Sequence, residues 1–231
     1  MGLVLILALD TASPSGSVAV LRAEKVIGLV ATDTSETYSS RMFRQLDFLL
    51  AELGLAHDAF DLLAVNAGPG SFTGLRVGLT AAKAWAEVYG KPVVPVSGLQ
   101  AVAEQSCGEG LLLPLLDARR GEVYFGLYDR SAVNLSRRDD DRVGTPDEFL
   151  STVAAEQNPR VASPDFGAFG DLQKRLRDQG ASCETVSPVL APVVGRLAYQ
   201  AAQRGQAVDA LALDANYVRR SDAELHWKGH T

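Results

Sequence analysis

The chain opens on an apolar run, Leu3 to Leu9, that has no helical period. Its length suits a strand buried on both faces. The cluster Asp10-Thr11-Ala12-Ser13-Pro14-Ser15-Gly16 then reads as a turn. Ser17 to Leu21 and Val26 to Ala31 read as two further strands, joined at Ala23-Glu24-Lys25. The period changes at Tyr38: Met42, Leu46, Leu49 and Leu53 recur at helical spacing, and Gly54 ends the amphipathic helix. Asp61 to Asn66 is another buried strand, and it runs into Ala67-Gly68-Pro69-Gly70-Ser71-Phe72-Thr73-Gly74. A second helix follows from Leu75 to Tyr89, stopped by Gly90 and Pro92, and then a strand from Val93 to Val96. Ser97 caps a short helix to about Ser106. The first hundred residues thus predict an α/β layer with a mixed sheet.

Beyond Gly108-Glu109-Gly110 the pattern resumes with strands at Leu111 to Leu116 and Glu122 to Tyr128. The polar, glycine-bearing Asp117-Ala118-Arg119-Arg120-Gly121 between them argues against a strand interior. Arg130 to Arg142 reads as a solvated loop of mixed charge. Thr145-Pro146-Asp147-Glu148 is a capping box that starts a helix. A short strand at Val161 to Ser163, a helix from Asp171 to Arg177 and an alanine-rich helix from Val193 to Arg204 follow. The polar tail from Ser221 to Thr231 reads as loose.

Composition narrows the function classes. The 231 residues carry 22 Lys plus Arg against 28 Asp plus Glu, a net charge of −6, which opposes a role in gripping phosphate backbones. The two cysteines, Cys107 and Cys183, read as buried or half-buried thiols, since they form neither a disulfide framework nor zinc-site spacing. No apolar stretch approaches the ~20 residues of a spanning helix, and no signal-peptide pattern is present, so a cytoplasmic soluble protein is expected.

Few residues offer chemistry. The Gly68 to Gly74 loop opens a helix, whose N-terminal N–H groups suit a phosphate. Its spacing matches neither the dinucleotide fingerprint nor a P-loop, and a tight strand-to-helix turn accounts for it equally. Asp10, at the end of the first strand, could hold a metal or a nucleotide-bound water, or could cap its own turn. His226 and His230 have the spacing of a helical metal pair but lie in the tail, and His57 has no matched partner. The second helix is apolar around most of its girth, with Arg76, Thr80, Lys83 and Glu87 as a narrow polar stripe. Such a helix packs on more than one side, either within the chain or against a partner. Met42, Phe43, Phe48 and Leu50 on the first helix add to that.

Three segments carry a family resemblance: Leu7-Ala8-Leu9-Asp10-Thr11-Ala12, the loop Gly68-Pro69-Gly70-Ser71-Phe72-Thr73-Gly74-Leu75-Arg76, and Asp117-Ala118-Arg119-Arg120-Gly121-Glu122-Val123-Tyr124. With the late Asn216-Tyr217-Val218-Arg219, they resemble the bacterial TsaB (YeaZ) family over most of the chain. The resemblance implies the two-lobed actin/Hsp70/sugar-kinase α/β fold. An N-terminal lobe over 1–100 would be completed by a helix at 191–205, with a smaller lobe over 101–190 and a tail over 206–231. It implies a non-catalytic subunit of the complex that forms N6-threonylcarbamoyladenosine on tRNA. This subunit would pair with the catalytic TsaD, be joined by the ATPase TsaE, form a homodimer when alone and meet tRNA only through the complex. ATP and metal would sit on those partners and none on this chain, whose Tyr38-Ser39-Ser40-Arg41-Met42 lacks TsaD's His-x-x-x-His. The pairing surface would comprise Arg41, Met42, Leu46, Leu50, Leu75, Arg76, Leu79 and Lys83, so that Leu79→Glu breaks pairing and spares the fold. A degenerate nucleotide or phosphate site would comprise Asp10, Thr11, Gly68, Gly70, Ser71, Thr73 and Gly74. The rival readings are a metal-dependent peptidase, a kinase of the same superfold, and a direct RNA binder.

Overall fold

A computed structural model of the chain describes residues 4–219 apart from Pro14 and Ser35. The tail with His226 and His230 lies outside the described residues. The first sheet has the order β3-β2-β1-β4-β5, formed by β1 (Leu5–Asp10), β2 (Ser17–Arg22), β3 (Lys25–Ala31), β4 (Leu62–Gly68) and β5 (Val93–Ser97). β1, β2 and β3 form an antiparallel meander, while β1, β4 and β5 run parallel. The parallel crossovers are made by α1 (Tyr38–Leu53) and α2 (Phe72–Tyr89).

The opening apolar run is explained by burial on both faces. Leu5, Leu7 and Leu9 pack with Met42, Leu46, Leu75 and Leu79 of the two helices. Ile6 and Ala8 point the other way, toward α3 (Gly98–Glu104) and α6 (Ala191–Gln203). α6 comes from the far end of the chain, and Gly195 lets it approach closely: a Cβ there would lie 2.3 Å from Leu21 Cδ1. After α6 the chain returns to the sheet edge, where Val93 and Val208 exchange backbone hydrogen bonds of 2.9 and 2.8 Å.

The second sheet is built around one long strand, β6 (Gly110–Arg119). Its neighbours are β7 (Glu122–Phe125), β8 (Tyr128–Arg130) and β11 (Arg160–Ser163). Its further strands are β9 (Leu135–Arg137), β10 (Arg142–Gly144) and β12 (Ser182–Thr185), and α4 (Pro146–Ala154) and α5 (Leu172–Asp178) cover one face. The expected capping box at Thr145 is present, with both of its hydrogen bonds.

Several expectations are corrected here. β6 continues through Asp117 to Arg119, because β7 turns back on it at once and supplies partners for the polar residues. The single strand expected over Glu122 to Tyr128 is two, since β6 pairs with β8 over residues 110–112 and with β7 from 115 onward. Pro114, which has no N–H to donate, lies between the two ladders. The charged segment from Arg130 to Arg142 contains β9 and the start of β10, tied by Arg138 to Asp129 and Glu156. Cys107 is exposed, and Cys183 is half-buried.

Candidate functional site

The turn after β1 and the loop after β4 meet at the floor of the cleft between the two sheets. Asp10 is fully buried. Its Oδ1 accepts from the Ala12 amide at 3.0 Å and from Asn66 Nδ2 at 2.9 Å, so the carboxylate caps its own turn. Its Oδ2 is buried and makes no hydrogen bond within normal distance limits among the described residues. Burial pushes the Asp10 pKa up from 3.8 to about 6, against smaller opposing effects of the Ala12 amide, the Asn66 amide and the Ser13 hydroxyl.

The glycine loop lies directly on this turn. The Ser71 amide donates to Ala12 O at 2.8 Å, and Thr11 Oγ1 donates to Gly74 O at 2.7 Å. Ser71 Oγ accepts from the Gly74 amide at 3.3 Å as the N-cap of α2. A Cβ on Gly70 would lie 2.7 Å from Ala12 Cβ, one on Gly74 2.0 Å from Thr11 O, and one on Gly78 2.4 Å from Thr11 Oγ1. The small residues therefore serve the close approach of two backbone segments. Gly68 adopts φ 111°, which suits glycine alone, and a Cβ there would meet Asn216 O at 2.8 Å.

The cleft above has a volume of about 1030 Å³. Thr11, Gly70, Ser71, Thr73 and Gly74 line it, whereas Asp10 and Gly68 sit behind its wall. The opposite wall includes Asp117, Arg119, Arg120 and Tyr124. Arg119 and Arg120 take φ of 63° and 56° in the tight turn between β6 and β7, which sets both on the cleft rim. Arg119 is ion-paired with Asp117 at 3.2 Å.

The eight residues expected at a pairing surface divide sharply. Met42, Leu46, Leu50, Leu75 and Leu79 are buried in the chain's own core, because α1 and α2 turn these rows onto the sheet. Arg41 is buried too, its Nη1 donating to Thr32 O at 3.3 Å and Thr32 Oγ1 at 2.8 Å, with its guanidinium 4.0 Å above the Tyr38 ring. Burial pushes the Tyr38 hydroxyl up to about 12. Arg76 is exposed and Lys83 half-buried. The apolar residues that do reach the surface of the two helices are Phe43, Phe48 (59%), Phe72, Val88 (72%) and Tyr89. His57, expected without a partner, lies 3.1 Å from Asp47 and against the Trp85 ring.

Asp141 was not foreseen as a site residue, since it lies in the charged segment. Its buried carboxylate accepts from Ser97 Oγ (3.2 Å), Tyr128 OH (3.3 Å) and Asn216 Nδ2 (2.9 Å), which joins the first sheet, the second sheet and the C-terminal segment. Burial raises its pKa. Among the described residues, no group of three or more His, Cys, Asp or Glu side chains could hold a metal ion. No helix among them is long and apolar enough to cross a membrane.

Two sheets of this topology, flanked by helices and facing one another over a cleft, define a mixed α/β protein of two sheets. The family model described as "TsaD: tRNA N6-adenosine threonylcarbamoyltransferase" matches residues 18–202, and the chain belongs to that family. It is 29% identical over 226 residues to the tRNA threonylcarbamoyladenosine biosynthesis protein TsaB of Bacillus subtilis, covering 96% of this chain and 97% of the other. It is 40% identical over 134 residues to the protein of that name from Haemophilus influenzae, covering 55% of each. The solved structure of YeaZ from Pseudomonas aeruginosa superimposes with a TM-score of 0.75 at 24% identity, over 93% of this chain and 99% of that one. The expected resemblance to TsaB (YeaZ) is thereby borne out.

Proposed function

We propose that this chain takes part in forming N6-threonylcarbamoyladenosine on tRNA, as an accessory subunit that pairs with the catalytic TsaD and is joined by the ATPase TsaE. The names of its relatives support the pathway. The observation that carries the accessory role is the state of the cleft floor. Thr11 and Ala12 occupy the space that the glycines of the 68–74 loop would otherwise leave for a phosphate. The two candidate ligand-holding segments are hydrogen-bonded to each other. The donor set does not fit a resident metal either, because Asp10 stands without a second and third ligand among the described residues. The proposed pairing surface is the outer face of α1 and α2, with Phe43, Phe48, Arg76 and Val88 in place of the buried rows. When alone, this chain is expected to form a homodimer through that face.

The test is co-purification of tagged TsaD with this chain, followed by assay of modified adenosine in a reconstituted reaction with and without it. Formation that depends on this chain, together with loss of both readouts in Phe48→Glu/Val88→Glu, supports the proposal. Full formation without the chain refutes it. ATP hydrolysis by the isolated chain that is abolished by Asp10→Ala would favour the kinase reading instead.

A further inference from the structure

We infer that residues 213–219 are a built-in tie that fixes the opening of the cleft, so that the two lobes of this chain do not rotate against each other. The segment leaves the first lobe's core at Leu213, which is buried among the residues of α1 and α2. The Asn216 amide donates to Ala67 O at 2.7 Å, at the end of β4. Its side chain donates to Asp141 Oδ2 at 2.9 Å, in the second lobe. One residue thus holds both lobes at once.

Tyr217 then closes over the start of α2. Its ring lies 5.4 Å from that of Phe72, and its hydroxyl accepts from Arg76 Nε at 3.3 Å, while Arg76 lies 3.8 Å over the Phe72 ring. Arg219 completes the crossing. Its Nη1 donates to Ala118 O at 3.0 Å, and its guanidinium is ion-paired with Glu122 across the β6–β7 turn. The crossing is closely fitted as well as hydrogen-bonded, since only a glycine at 68 leaves room for Asn216 O.

The contacts span the mouth of the cleft from α2 to the arginine-bearing turn of the opposite wall, and all four lining residues Asn216 to Arg219 belong to the strap. Opening or closing the lobes would stretch or compress this segment, which has three anchors within four residues. A lobe rotation requires a hinge free to absorb the backbone change, and here the chain that crosses between the lobes is pinned on both sides.

The experiment uses the full chain carrying Asn216→Ala, Tyr217→Ala and Arg219→Ala, in a Cys107→Ser/Cys183→Ser background. Spin labels at Ser39→Cys and Ala168→Cys, which lie on opposite walls, report the cleft width by pulsed electron resonance. Amide exchange is followed by mass spectrometry. The tie predicts one narrow distance distribution with the strap intact and a clearly broader one in the triple variant. It also predicts at least about tenfold faster exchange over residues 117–123, with β1 and β4 unchanged. A distribution that is already broad with the strap intact, or one the triple variant leaves narrow, overturns the inference, even if exchange rises within the strap itself. Should the triple variant fail to fold, Asn216→Ala/Arg219→Ala is read by the same two criteria, because it removes both side-chain contacts to the second lobe and leaves Tyr217 packed on α2.

Discussion

Gly74→Ala tests whether the glycine loop exists for packing or for a ligand. In a helix, Ala is favoured over Gly by up to about 1 kcal/mol, so on local grounds the change would stabilise. The structure opposes it. The new Cβ would stand 2.0 Å from Thr11 O, and side-chain carbons do not approach closer than 3.0 Å, so the start of α2 must retreat by about 1 Å. That retreat stretches two hydrogen bonds, the buried one from Thr11 Oγ1 to Gly74 O and the one from the Ser71 amide to Ala12 O. Overpacking costs about 1–3 kcal/mol, and each lost bond adds about 1 kcal/mol. Against the helical gain, the net loss is about 2–4 kcal/mol, or roughly 5–15 °C in Tm for a chain of this size. Thermal unfolding followed by circular dichroism measures it, with Thr73→Ala, at an exposed position of the same turn, as the control expected to change little. If Gly74→Ala unfolded at or above the parent temperature, the loop would have to stand clear of the β1 turn, and the case against a ligand cradle would collapse.

Asp10→Asn tests the buried carboxylate. Its folded pKa of about 6 lies above the ordinary 3.8, so the folded state favours the proton. Stability is then greatest below pH ~4 as far as this group is concerned, and declines as pH rises toward 6, by about 3 kcal/mol in all. Asp10→Asn is expected to flatten that slope and to raise the Tm at pH 7.5, and an unchanged pH profile would contradict the account. Leu79→Glu places a charge at a position only 6% exposed. It is therefore expected to destabilise the fold by several kcal/mol, contrary to the harmless outcome expected from sequence, and urea unfolding decides between the two. Phe48→Glu, at a surface position, is expected to shift stability by no more than about 0.5 kcal/mol while weakening co-purification with TsaD. Thr145→Ala removes the bond that Thr145 Oγ1 accepts from the Glu148 amide, while the amide of residue 145 still donates to the Glu148 carboxylate, and is expected to cost about 1 kcal/mol, read from the denaturant midpoint.

The first sheet was legible because β1, β2 and β4 are buried on both faces and its helices keep a clear period. Tyr38 to Leu53 is a helix at the very bounds the Met42-Leu46-Leu49-Leu53 row indicates. The second sheet was less legible. Periodicity records burial but not pairing, and β6 trades one partner for another at Pro114 without any break in its apolar pattern. The Arg130 to Arg142 stretch hid β9 and the start of β10 because these three-residue strands lie among charged residues while their backbones are paired. Of the residues expected at a degenerate nucleotide or phosphate site, Thr11, Gly70, Ser71, Thr73 and Gly74 line the cleft and Asp10 and Gly68 do not, and sequence does not say what fills the space beside a glycine. The burial of the expected pairing residues was hidden for a related reason. An apolar helix shows how much of it is covered, and only the packing shows that Leu75 and Leu79 are covered by the chain's own sheet.

The return of α6 to the first sheet has a consequence for synthesis on the ribosome. β1, β2, β4 and β5 are complete once residue 97 is made, yet the face carrying Ile6, Ala8 and Leu21 lacks its cover until residues 191–203 emerge. At about 5–20 residues per second, the intervening hundred or so residues take roughly 5–20 s. Throughout that interval the nascent chain presents a half-covered apolar sheet to its surroundings. The second lobe, whose elements lie wholly within that interval, is free to fold before the first lobe is finished.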